Sequence, residues 1–377
     1  MAAIATNADD GAGAIALKRS ARFLARPFEP HPLFRNAHLA TVAAAYWPRE
    51  FASLPPAMDR LFEVEPGTRL LAKCHWQEAP QHRATLVLVH GLEGSSESPY
   101  MLGIAERAYQ VGFNVLRTNQ RNCGGTEHLT PTLCHSGLSG DFRAVLDELI
   151  ECDNLPEIFF AGYSTGGNLV LKMAGELAER APRELRGICA VCPCLDLASC
   201  ADGSGQPRNL VYESYFLRSM RNTMQRKAEL FPERYRTERF FGPRTLREWD
   251  DAITAPEWGY RDASDYYRRG SALPVTGQIH VPTLILAAQD DPLVPFASFL
   301  NAALTENPFI TLVAPEVGGH CAFISNSGGD ERFWAEQRVI EFCAEHTELS
   351  PEKCIALNST QDGSQSALDF CANAGQS

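Results

Sequence analysis

A chain of 377 residues, 45% hydrophobic and 21% charged, has a soluble globular composition and enough apolar side chain for a sizeable core. Its formal net charge of −12 and the lack of any basic run argue against nucleic acid or an anionic membrane surface as a partner. No uninterrupted apolar stretch of about 18 residues predicts a membrane span, and the first residues carry no export-type apolar region.

In chain order, residues 1–26 are Ala/Gly-rich and are expected to be a flexible segment. Residues 27–56 mix Pro, aromatics and His and read as an irregular arm packed on the body. Residues 60–77 alternate as antiparallel edge strands do. Residues 85–90 form a continuous β-branched run, the pattern of a strand buried on both faces. A helix over 99–111, a strand over 113–118, a loop over 119–139 and a helix over 140–152 follow. Further buried strands are expected at 158–163, 187–194 and 282–288. Strands alternating with helices predict an α/β fold with a mostly parallel, doubly wound sheet. The stretch 198–275 breaks the alternation, with helical patterns near 209–230 and 244–252. It reads as a helical cap insertion over the C-terminal edge of the sheet, where ligands of such sheets bind. The aromatics Tyr212, Tyr215, Phe216, Phe240, Phe241 and Trp258 suggest an apolar acyl pocket beneath it. The main domain is expected over 27–347, with a disordered Ser/Gln/Asn-rich tail over 348–377.

The chemistry concentrates at Gly162-Tyr163-Ser164-Thr165-Gly166, which ends an apolar strand and opens a helical run. Chance alone gives roughly 0.1 such pentapeptides in a chain this long. The strand–Ser–helix context makes it a nucleophile elbow, which holds a serine hydroxyl clear of the sheet at the positive end of a helix. Serine needs a base within hydrogen-bond reach and a third group to orient that base. In this fold the order should be Ser, then acid, then His. Asp290 and Asp291 follow the run 283–288, and His320 follows Gly318-Gly319 just past the apolar run 310–313. Asp291, directly before Pro292-Leu293-Val294-Pro295, is the favoured acid, with Asp290 as a loop-holding alternative. Two backbone N–H groups should stabilise the oxyanion, one from Thr165 and one from Leu92 in His90-Gly91-Leu92-Glu93-Gly94. That loop lacks the Lys-Ser/Thr of a phosphate-binding loop.

Cys189, Cys192, Cys194 and Cys200 lie close in sequence. On a strand the first three alternate faces, which is poor tetrahedral geometry, so they are expected to be core thiols and no metal is expected. Free thiols with no export signal point to the reducing cytoplasm.

Several motifs together resemble the YheT-like/EMB8 branch of the α/β-hydrolases, which includes ABHD1/ABHD3-type enzymes. They are Asn36–Thr41, His90–Ser95, Arg121–Gly125, His135-Ser136-Gly137 with Asp141, Gly162–Asn168 and Asp290-Asp291-Pro292. The resemblance spans about residues 28–345, and it implies a serine hydrolase of carboxylic esters, lipid esters in some members. Thr165 stands where Leu or Met is usual, and Asn122 where Gly is usual. The expected reaction passes through a Ser164 acyl-enzyme and needs no cofactor. The alternatives are an acyltransferase, thioesterase or amidase using the same triad, or a non-catalytic binding protein on this fold. The expected partner is a small ester or lipid.

Overall fold

The computed structural model describes residues 26–349, so the expected flexible start and disordered tail lie outside the described residues but for their innermost positions. Two antiparallel strands come first, β1 (Met58–Glu65) and β2 (Thr68–His75), preceded by a helix α1 (Ala37–Tyr46). The alternating part then runs β3 (Thr85–Val89), α2 (Pro99–Gln110), β4 (Asn114–Thr118), α3 (Ser139–Glu151), β5 (Ile158–Tyr163), α4 (Thr165–Leu177) and β6 (Leu185–Val191). Helices α5 (Leu197–Ser204), α6 (Leu210–Leu230) and α7 (Ala263–Gly270) intervene before β7 (Thr283–Leu286), β8 (Ile310–Val313) and α8 (Trp334–His346). The sheet order is β1-β2-β4-β3-β5-β6-β7-β8, antiparallel at the β1–β2 and β2–β4 pairings and parallel from β4 to β8. The expected α/β, doubly wound, mostly parallel sheet is therefore the observed one.

β3 explains why. All five of its residues are buried, and they alternate between two cores. Val87 and Val89 pack with Phe142, Val145 and Leu146 of α3 and Leu169 and Met173 of α4. Leu86 and Leu88 pack with Met101 and Ile104 of α2 and Trp334 and Val339 of α8. A strand apolar on both faces must be covered on both, and each such side chain contributes about 1.5–3 kcal/mol on burial. The loops bearing Leu92, Ser164 and Asp291 all begin at the C-terminal ends of parallel strands, β3, β5 and β7.

Three expectations differ from the structure. Residues 37–46 form a helix rather than an irregular arm, because the Asn36 side chain accepts from the Leu39 N–H at 3.1 Å and caps an alanine-rich run. β6 stops at Val191, where Cys192 turns the chain with φ 44°, so Cys192 and Cys194 are not on a strand and do not share a strand face. The aromatics of 198–275 do not gather into one pocket. Phe240 packs with Leu217, Met224 and Trp249 in a small separate core, and Tyr215 and Phe241 face solvent. Trp258 packs edge-on to His135 at 4.6 Å.

Candidate active site

The elbow follows from backbone sterics. β5 delivers Ser164 at φ 55°, ψ −117°, a conformation costing about 1–3 kcal/mol in a non-glycine residue. The Ser164 N–H donates to Val191 O at 2.9 Å, and its carbonyl accepts from Asn168 at 3.1 Å and Cys194 at 3.2 Å, which hold the turn. Glycine is required at 166 because a Cβ there would stand 2.4 Å from the carbonyl oxygens of both Val89 and His90. A Cβ on Gly91 would stand 3.1 Å from the Ser164 Cβ, so the loop after β3 runs directly against the elbow.

The structure brings the predicted side chains together. Ser164 Oγ lies 2.9 Å from His320 Nε2, and His320 Nδ1 lies 2.8 Å from Asp291 Oδ2. The His320 side chain is 12% exposed and the Asp291 side chain 2%. Asp291 Oδ1 also accepts from the Leu293 and Val294 N–H groups at 2.8 and 3.0 Å, which fixes the carboxylate. Asp290 points elsewhere and accepts from the Gly319 N–H at 2.9 Å, bracing the loop that carries His320. Burial works against an imidazolium at His320. The Asp291 carboxylate and the Cys321 sulfur outweigh it and hold the ring well above the ordinary histidine range. Chemically, this arrangement can pass the Ser164 proton to a base whose conjugate acid is already stabilised. Asp291→Asn is expected to cut any Ser164-dependent turnover by about 10³–10⁴-fold through the wrong ring tautomer. Asp290→Asn, which only loosens the loop, should cost at most about 10²-fold. Equal losses in steady-state kinetics of the two variants would overturn the assignment of roles.

The loop after β3 is held by contacts that its sequence motif did not reveal. His90 is fully buried, and desolvation pushes its pKa down to about 4, partly opposed by its bond to the Gly91 carbonyl. The neutral ring donates from Nδ1 to Gly91 O at 2.7 Å and accepts at Nε2 from the Gln120 N–H at 3.0 Å. The Gly91 N–H donates to the Tyr100 hydroxyl at 3.0 Å. The Glu93 carboxylate accepts from Ser219 Oγ on α6 at 2.6 Å, which fastens α6 to this loop. Among the described residues, neither the Leu92 N–H nor the Thr165 N–H donates to a protein acceptor. Two free donors near a half-buried hydroxyl can receive a developing oxyanion.

Three further neighbours escaped the sequence reading. Thr41 Oγ1 on α1 accepts from the His320 backbone N–H at 2.9 Å. His38 stacks on Tyr212 of α6 and shares a 3.2 Å hydrogen bond with its hydroxyl. Cys194 Sγ lies 3.5 Å from Ser164 Oγ. The runs Asn36–Thr41 and His90–Ser95 marked these places without marking the contacts. The Thr165 hydroxyl is buried without a hydrogen-bond partner among the described residues. Thr165→Val removes that unpaired group and keeps the shape. The variant should unfold about 1 kcal/mol later in urea, and a loss of stability would contradict this.

Residues 84–327 match the family described as alpha/beta hydrolase fold. The chain is 31% identical over 326 residues to the putative esterase YheT of Escherichia coli, covering 85% of this chain and 94% of that protein. It is 26% identical over 256 residues to mouse phospholipase ABHD3, covering 68% of this chain and 60% of that protein. Among solved structures, a Pyrococcus furiosus esterase aligns with TM-score 0.53 and 17% identity, covering 79% of this chain and 94% of that one. With the parallel sheet and the strand–Ser–helix elbow, these matches mean that the chain belongs to the alpha/beta hydrolase fold family, alongside YheT.

Proposed function

We propose that this chain, a carboxylic ester hydrolase, works through Ser164, His320 and Asp291. The observation that carries the reading is the unbroken Ser164–His320–Asp291 hydrogen-bonded chain rooted on a strained elbow. Ser164 Oγ attacks the ester carbonyl while His320 Nε2 takes its proton. Asp291 fixes the ring and offsets the imidazolium charge. The Leu92 and Thr165 N–H groups hold the tetrahedral oxyanion. His320 then protonates the leaving alcohol and next activates the water that frees the acid. The steps use these three side chains, the two backbone N–H groups and water.

The domain reading belongs here too: one hydrolase domain over 27–347, with 198–275 as a cap. The Glu93–Ser219 and His38–Tyr212 contacts support it, since they fasten α6 to the oxyanion loop and to α1. No helix among the described residues is long and apolar enough to cross a membrane. The free thiol at every described cysteine supports a reducing, cytoplasmic setting.

Fluorophosphonate labelling, followed by turnover of p-nitrophenyl esters graded in acyl length, tests the reading. Labelling should map to Ser164 and disappear in Ser164→Ala. Esters that turn over without labelling at Ser164 would refute the nucleophile. Products carrying an added competing alcohol in place of water would move the reading to acyl transfer.

A further inference from the structure

Beside the proposed base sit two sulfurs that ester hydrolysis does not use, close enough to share a ligand with its ring. One ring nitrogen of His320 and the sulfurs of Cys192 and Cys321 all lie within 4.8 Å of one another. The end of β6 makes this possible. Because the chain turns at Cys192 rather than continuing as a strand, the Cys192 sulfur reaches the 319–321 loop. There it accepts from the Cys321 N–H at 3.3 Å. The Cys321 sulfur lies 3.5 Å from the carbonyl of Val191, at the strand's last residue. The end of β6 and the histidine loop therefore bring one sulfur each to the imidazole.

We propose that Cys192, Cys321 and His320 form an inhibitory binding site for a borderline-soft divalent cation of the Zn²⁺ class. Two sulfurs and an imidazole suit zinc and disfavour calcium or magnesium, which require oxygen ligands. Zinc bonds of about 2.3 Å to sulfur and about 2.0 Å to nitrogen set tetrahedral ligand separations of roughly 3.5–3.8 Å. Each ligand atom needs to close by no more than about 1 Å to reach them from the observed arrangement. On binding, each thiol releases its proton to solvent and the sulfur lends an electron pair. The imidazole gives up its extra proton to solvent as well and then lends the lone pair of one nitrogen. Three protein ligands leave a fourth position for water or for the Asp291 carboxylate beside the ring.

Either ring nitrogen gives the same consequence. Coordination at Nε2 breaks the Ser164 contact directly. Coordination at Nδ1 displaces Asp291 and leaves the ring proton on Nε2, where it cannot accept the serine proton. The inhibitory half of this inference rests on the proposed role of His320, whereas the binding half does not.

The test uses the full chain, reduced and freed of metal. Co²⁺ added in place of Zn²⁺ should bind at one equivalent and give a thiolate-to-cobalt charge-transfer band. Micromolar Zn²⁺ should depress ester turnover, and a chelator should restore it. Cys321→Ser and Cys192→Ser should each lose the band. Each should also weaken zinc sensitivity, measured against its own metal-free rate, by at least about 10–100-fold, the loss seen even for outer partners of metal sites. An active wild type with no band, or zinc inhibition unchanged in the double variant, overturns the site. A band from a protein that, when metal-free, takes no fluorophosphonate label at Ser164 keeps the site and refutes the triad reading. The wild-type band decides the binding half even where a variant fails to fold.

Discussion

Ser164→Ala is expected to lower ester turnover by about 10⁴–10⁶-fold, the range that loss of a triad nucleophile produces when the rest of the site survives. Stability should barely change, because Ser164 is held by its backbone: its N–H and carbonyl bonds to Val191, Asn168 and Cys194 remain in the variant. Ser164→Gly separates catalysis from strain. It removes the same hydroxyl, yet glycine accepts φ 55° without penalty. This variant should be as inactive as the alanine form and should unfold about 1 kcal/mol later than it in urea. Single-turnover kinetics and equilibrium unfolding on the two proteins measure both effects. Residual activity within about 10²-fold of wild type in either variant would end the case for Ser164 as nucleophile.

Between about pH 6.5 and pH 4 acid should withdraw the stabilisation that two buried neutral histidines contribute. Desolvation pushes His90 down to about 4. His135, desolvated and flanked by the Arg121 and Lys172 charges, falls to about 3. Unfolded, each would protonate near 6.5. Below that pH the unfolded chain binds more protons than the native one, so their stabilisation is complete above pH 6.5 and is lost as pH falls. At about 1.4 kcal/mol per pH unit, each withdraws roughly 3 kcal/mol by pH 4. Asp250 acts in the opposite sense. Burial raises its carboxyl to about 6, against the bonds donated by Thr254 and Tyr267. Its native form holds a proton that the unfolded form gives up near 3.8, so it destabilises the fold above pH 6 and returns roughly 3 kcal/mol on acidification. The net loss between pH 7 and pH 4 should be about 3 kcal/mol from these three groups. Asp250→Asn should be the more stable protein at pH 7, and its advantage should vanish by pH 4. Urea unfolding of both proteins across this range checks the sign. A variant less stable than wild type at pH 7 would contradict the argument.

The alternating strands and helices were legible because a strand buried on both faces leaves a dense β-branched run, as Thr85–Val89 does. The elbow, acid loop and His loop were legible because each sits just past such a run. Two kinds of feature were not. Helix α1 buries only Ala40 among its ten residues, so it has no apolar stripe to announce it, and its Asn36 cap is the sole local signal. The end of β6 depends on one positive φ at Cys192, which a buried cysteine does not advertise. The supports of the site were also hidden. Thr41, His90 and Tyr100 act through hydrogen bonds to the backbone of His320, of Gly91 and Gln120, and of Gly91, and side-chain pattern carries no record of those. Nor did an aromatic-rich stretch reveal where its rings would go, since Phe240 is buried and Tyr215 is exposed within the same stretch.

The bond from the His320 N–H to Thr41 spans 279 residues. During synthesis the elbow region emerges early and can fold from local contacts, but the histidine loop comes off the ribosome long after it. That loop must then dock on a helix made near the very beginning. If His320 is the base of Ser164, as proposed above, that hydroxyl spends translation without it, and the nascent chain should be silent toward esters until the histidine loop docks.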